Sequence, residues 1–171
     1  MAELTPKERL SPSLLDRLTD DEPEVATEAR ESRVLSPARL RESVRRDLTW
    51  LFNTTQIQSL QDLGEFPLVV HSVLNYGIPD LAGRTASSLD TVELEHMIRQ
   101  AILNFEPRLD RNSVRVRPVV NESQMNHHAL SFDVEAELWA QPLPLRLFLR
   151  TAVDLETGNV EVTDQGGRGS L

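Results

Sequence analysis

Two stretches of the chain repeat apolar residues at helical spacing, and a third alternates them. Leu40, Val44, Leu48, Leu51 and Phe52 recur at i, i+4, i+8, i+11 and i+12, one buried stripe over about four turns. Ser36-Pro37 opens this helix: the serine oxygen accepts from a backbone N–H left unpaired at a helix start, and proline is preset for the first helical position. Leu94, Ile98, Ala101, Ile102 and Phe105 form a second stripe, begun by Asp90 and Glu93 at capping-box spacing with Leu89 and Leu94 placed as a hydrophobic staple. Pro107 ends it, because proline lacks an N–H and pushes Glu106 toward an extended conformation. The period then falls to two. Val114, Val116 and Val120 alternate with Arg115 and Arg117, and Leu130, Phe132, Val134, Ala136 and Leu138 alternate with Ser131, Asp133, Glu135 and Glu137. Leu145, Leu147, Leu149, Thr151, Val153 and Leu155 continue the pattern, and Glu156-Thr157-Gly158-Asn159 reads as a hairpin loop into Val160-Glu161-Val162. Helices first and strands after, without βαβ alternation, predict a single α+β domain: an antiparallel sheet covered on one face by two main helices.

The rest of the chain is broken by turn residues. Between Asn53 and Ser88 stand Gly64, Pro67, Gly77, Pro79 and Gly83, with room for one brief helix from Pro67 to Asn75. Residues 1–35 carry Pro6, Pro12, Pro23 and the acidic run Asp20-Asp21-Glu22-Pro23-Glu24, which predicts a partly extended N-terminal arm. Within it Ser13–Leu18 is a short helical clip, with Leu14, Leu15 and Leu18 on one face. It either fastens a loose arm to a surface by one apolar turn or is the docked terminal turn of the domain itself. The α+β domain is expected over residues 36–163, and Gln165–Leu171, in a tail of residues 164–171, is expected to be disordered.

Charge narrows the function classes. Lys plus Arg number 18 against 27 Asp plus Glu, a net charge of −9, which disfavours attraction to nucleic acid or anionic lipid. Arg39, Arg41, Arg45 and Arg46 cluster on the first helix, but Glu42 and Asp47 interrupt them, and a solvated or partner-facing surface is the expectation. There is no cysteine, hence no disulfide and no thiolate metal site. The charged N-terminus has no apolar core of a signal peptide, and the apolar runs are too short to cross a bilayer; a soluble, cytoplasmic protein without membrane insertion is expected. His71, His96, His127 and His128 lack metal-site spacing, His127-His128 read as loop residues, and Ser72, Ser87 and Ser88 lie in no nucleophile motif, Ser88 reading as a helix start. No cofactor and no small-molecule substrate are implied.

The sharpest local signal is Phe105-Glu106-Pro107-Arg108-Leu109. Proline holds a carboxylate and a guanidinium on a short stiff hinge, which suits preorganised recognition of a partner's charges. As a glycosidase acid, Glu106 needs a raised pKa and a second carboxylate about 5 to 9 Å away; no acidic residue is singled out as that partner, and a nearby arginine favours the ionised form. The plain alternative is a helix end with a local ion pair worth about 0 to 1 kcal/mol. Alanine at Glu106 or Arg108 is expected to leave the isolated domain folded, since a terminal pair is cheap, and to abolish assembly if the pair is buried against partners, whereas unfolding would favour the plain alternative.

Several of these segments taken in order carry a resemblance. They are Ser13–Leu18, Leu40-Arg41-Glu42-Ser43-Val44-Arg45-Arg46-Asp47-Leu48 with Leu51-Phe52-Asn53-Thr54, Ser72-Val73-Leu74-Asn75-Tyr76-Gly77-Ile78-Pro79-Asp80-Leu81-Ala82-Gly83, and Phe105–Leu109. Together they resemble the phage baseplate wedge (lysozyme-like) family, whose bacterial counterpart is the type VI secretion subunit TssE. The resemblance implies a structural subunit, not an enzyme, that assembles with other baseplate wedge subunits and with contractile sheath proteins. It implies a partner-binding role for Glu106, Pro107 and Arg108 in holding the wedge together, and no catalytic residue. The lysozyme-like label implies the alternative, a peptidoglycan-cleaving glycosidase using Glu106. The alternating C-terminal strands add an expectation of their own, that sheath strands pair with an open edge there.

Overall fold

The computed structural model describes residues 13–19, 23–24, 36–85, 90–119, 129–139 and 144–166. Leu89, Ser87 and Ser88, Val120, His127 and His128, most of the arm and the tail from residue 167 lie outside the described residues. The elements are α1 (Leu14–Leu18), α2 (Pro37–Phe52), α3 (Pro67–Val70), α4 (Thr91–Phe105), β1 (Arg115–Val119), β2 (Ala129–Leu138), β3 (Leu145–Asp154) and β4 (Val160–Asp164). The strands form one antiparallel sheet in the order β1-β2-β3-β4. The expected α+β architecture is the observed one, because both periodicities serve one core. Val116, Phe132, Val134, Leu147, Leu149, Val153, Val160 and Val162 point from the sheet toward Leu40, Val44, Leu48 and Leu51 of α2 and Leu94, Ile98 and Ile102 of α4, all buried. On the other face polar side chains pair across strands, as where Arg150 donates to Asp133 at 2.8 Å.

Both helix starts are capped at the predicted residues, while the Leu89 side of the expected staple lies outside the described residues. Ser36 accepts from the Arg39 N–H at 3.2 Å, and Asp90 from the N–H groups of Val92 and Glu93. α1 has a reciprocal capping box between Ser13 and Asp16.

Three expectations change. The brief helix from Pro67 to Asn75 is broken into α3 and a 3-10 turn at Val73–Asn75, because Ser72 takes an extended backbone and its hydroxyl accepts from the Leu74 N–H. The α1 leucines do not form an apolar clip: Leu14 and Leu18 stay largely exposed, and the helix is held instead by Asp16, which accepts from Arg46 of α2 at 2.6 Å. Three of the four clustered arginines of α2 are engaged within the domain, while Arg39 stays exposed. Arg41 donates to the Arg146 carbonyl at 2.7 Å, Arg45 to Glu42 and to the Val162 carbonyl, and Arg46 to Asp16 and Asp47.

The sheet edges are managed differently. Pro118 stands in β1, where an edge position tolerates its missing N–H and discourages further pairing. On β4 the backbone of Val160 exchanges hydrogen bonds with the Asn53 amide, donating at 2.9 Å and accepting at 2.7 Å, and the Val162 carbonyl accepts from Arg45. The first half of that edge is therefore already engaged by α2, and only its far end remains for another strand.

Residues 54–78 form a loop closed at its neck. Gln56 donates to the Ile78 carbonyl and Ile78 to the Thr54 carbonyl, both at 2.9 Å. Gly77 lies in that neck at φ 127, and a β-carbon there would sit 2.2 Å from the Thr54 carbonyl oxygen. Gly77→Ala is expected to destabilise the domain by about 2 kcal/mol or more, from positive φ and backbone collision together. Gly83→Ala, at φ 73 with nothing within 4 Å of the new carbon, is expected to cost about 1 kcal/mol. Thermal unfolding of both variants checks the ranking.

Candidate functional site

The hinge after α4 turns inward. Glu106 caps the end of α4, its N–H donating to the Ile102 carbonyl at 2.9 Å, and the residue is only 4% exposed. A carboxylate so far from water needs cationic donors, and Arg108 supplies them. Its Nε donates to Oε1 at 2.7 Å, its Nη2 to Oε2 at 2.5 Å, and its backbone N–H to Oε1 at 3.1 Å. Proline between the two residues removes one N–H and fixes one φ, which leaves the chain bent so that Arg108 reaches back onto Glu106.

The same guanidinium crosses to α2. Nη2 donates to Asp47 Oδ2 at 2.6 Å and Nη1 to the Ser43 hydroxyl at 3.2 Å, while the Ser43 hydroxyl itself donates to the Leu40 carbonyl. The Arg108 carbonyl accepts from the Trp139 N–H at 2.8 Å, which ties the hinge to the end of β2. One residue thus joins both main helices and the sheet.

The ion pairs continue outward. Asp47 also faces Arg46, whose Nη2 lies 2.9 Å from Oδ1, and Arg46 faces Asp16 at 2.6 Å. Glu106, Arg108, Asp47, Arg46 and Asp16 therefore alternate in sign from the buried end of α4 to the exposed α1. Burial works against the Arg108 charge, but the hydrogen bonds and charge of Glu106, and then those of Asp47, outweigh it and raise its pKa above the ordinary guanidinium value. Burial, reinforced by the negative charges of Asp47 and Glu106, pushes the Tyr76 phenol up. At the outer end, burial opposes ionisation of Asp16, but the Ser13 and Arg46 hydrogen bonds and the Arg46 charge prevail and hold its carboxyl below the usual aspartate range.

Beside this chain of charges lies a groove of about 460 Å³. Leu15, Trp50, Tyr76, Phe105 and Pro107 form its apolar walls, and Asp47, Glu106 and Arg108 its polar side. Tyr76 and Phe105 meet edge to face with centroids 5.1 Å apart, and the Arg46 guanidinium lies 5.2 Å from the exposed Trp50 ring. The structure brings Glu106, Pro107 and Arg108 together with Asp47, Trp50 and Tyr76, which sequence reasoning did not connect to the hinge. Asp47 was readable only as an interruption of an arginine run, and its contact with Arg108 spans sixty-one positions.

The arrangement is an apolar groove built on a charged clamp. A glycosidase acid must present its carboxyl to a glycosidic oxygen with a second carboxylate across the bond. Here both Glu106 oxygens accept from Arg108, and the neighbouring carboxylate, Asp47, holds the same guanidinium. Among the described residues no group of His, Asp and Glu is placed to hold a metal ion, and no helix is long and apolar enough to cross a membrane.

Comparison with known proteins yields one family. The description of baseplate wedge protein gp25 matches residues 38–143, more than half of the 171-residue chain, and that range contains α2, the closed loop, α4 and the hinge. No curated protein and no solved structure matches the chain.

The burial of the hinge overturns the expectation that its ion pair is a weak terminal one. Arg108→Ala is expected to destabilise the isolated domain by about 3 kcal/mol, since it strands Glu106 inside the protein; urea unfolding checks this. The outer pair gives a pH signature. Because the folded carboxyl of Asp16 is held below the usual aspartate range, its contribution to docking α1 is complete above that range and is lost as pH falls through the lower folded value. Trp50 emission is expected to change in that acid window, through Arg46, and Asp16→Asn is expected to abolish the change.

Proposed function

The chain belongs to the baseplate wedge protein gp25 family, a family of structural baseplate components, and from that premise we propose that it is the TssE-type subunit of a contractile type VI secretion baseplate. In this reading it assembles in the cytoplasm with the other wedge subunits and helps to anchor or nucleate the sheath. The observation that carries the reading is the groove over the ion-pair chain: an open apolar cleft with exposed Trp50 and Pro107 on its rim and a rigid charged side. Aromatic residues in such positions anchor protein partners.

Glu106, Pro107 and Arg108 serve wedge assembly in two ways. Glu106 and Arg108 fix the shape of the groove from within, and Pro107 with the exposed part of Arg108 meets the partner. Within the arm of residues 1–35, α1 closes one wall of the groove, and residues 36–163 are the assembling domain. The unengaged far end of the β4 edge is where a sheath strand adds, since Arg45 and Asn53 already occupy the near end.

The test separates docking from folding. Leu15→Asp and Trp50→Ala change exposed positions and are expected to leave the melting temperature within a few degrees of wild type. Co-purification of wedge subunits with the double variant is expected to fall by about tenfold or more. Undiminished co-purification would remove the groove as the docking surface.

A further inference from the structure

The closed loop of residues 54–78 carries a second surface, separate from the groove. Its interior is organised by Asn75, which is 4% exposed. The Asn75 Oδ1 accepts from the Gln58 N–H at 3.0 Å, and its amide donates to the Val70 carbonyl at 3.0 Å. With the neck bonds between Thr54, Gln56 and Ile78, these contacts give the loop a fixed shape. Its outside is apolar. Leu60, Leu68 and Val73 are 78%, 88% and 80% exposed, with Phe66 and Leu74 also largely exposed. Five large apolar side chains exposed on one ordered loop are the kind of surface that marks an interaction site.

Charge selects the occupant. The loop carries Asp62 and Glu65, and no Lys or Arg stands between Arg46 and Arg84 in the sequence. An anionic lipid surface is repelled by that sign. A second copy docking through the same patch brings Asp62 and Glu65 against themselves. A protein helix with an apolar stripe flanked by lysine or arginine satisfies both the apolar side chains and the carboxylates. We propose that the 54–78 loop is a docking platform for a basic amphipathic helix of a partner protein, additional to the groove and independent of it.

The experiment places a photoreactive phenylalanine analogue at position 68 in the full chain, in the cells that produce it, and maps the cross-linked peptide by mass. The expected result is a peptide from another protein, helical in pattern, with an apolar stripe and flanking basic residues. A synthetic copy of that peptide should bind the wild-type chain, and Leu68→Asp should weaken binding by about tenfold or more. Asp62→Asn with Glu65→Gln should weaken it and flatten its dependence on salt. Circular dichroism and melting of Leu68→Asp should match wild type, as befits a side chain 88% exposed. Cross-linking to phospholipid, to a second copy, to the arm of the same chain or to an acidic or extended segment would overturn the proposal, as would no cross-link at all. Trp50 stands outside the 54–78 loop, and its backbone carbonyl, which accepts from the Thr54 hydroxyl, is kept in Trp50→Ala; loss of wedge co-purification in that variant with the position 68 cross-link retained separates the two surfaces.

Discussion

A carboxylate that is 4% exposed dictates much of this fold's functional end. Glu106 is stable inside the protein only while Arg108 holds it, and Arg108 in turn requires Asp47 and Ser43 of α2 and an anchored carbonyl at β2. The end of α4, the middle of α2 and the end of β2 meet at one arginine, through its guanidinium and its backbone carbonyl. A planar fork with several fixed donors does this where a lysine would not, since its bonds run in three directions at once. The groove wall follows from that junction, and so does the position of Pro107 on its rim.

The remaining charges follow the same logic. In an acidic chain of net charge −9, three arginines of α2 are used as ties: Arg41 to β3, Arg45 to the β4 edge, Arg46 to α1. The outer face of the molecule divides into a polar sheet surface, a cleft with aromatic walls and a closed apolar loop, which is the distribution of a part that is built into a larger body.

The core was legible in the sequence because its stripes are long and clean. Each of Leu40, Val44, Leu48, Leu51 and Phe52, expected to face inward, is buried, and the two-residue period marks the inward face of β2 and β3. The short pieces were less legible. Pro67–Asn75 reads as one helix by composition, yet Ser72 and the hydrogen bonds of Asn75 divide it. The leucines of α1 read as an apolar anchor, but the anchor is Asp16, whose partner Arg46 is distant in the chain. The hinge stood out as Glu-Pro-Arg, while its burial did not: whether a charged pair faces water or the interior depends on Asp47 and Ser43, which arrive only through tertiary packing. Local spacing carries period and capping, and long-range pairing of charges leaves little trace in it.

The central claim is that Glu106 and Arg108 act on each other first and on a partner through the shape they maintain. A double-mutant cycle tests it, with Glu106→Ala, Arg108→Ala and the pair together, each unfolded in urea as the isolated chain. The account predicts a coupling of about 2 kcal/mol or more, with the double variant no less stable than the worse single one. Additive losses in the isolated chain, with coupling visible only in wedge co-purification, would contradict it and place the pair against the partner.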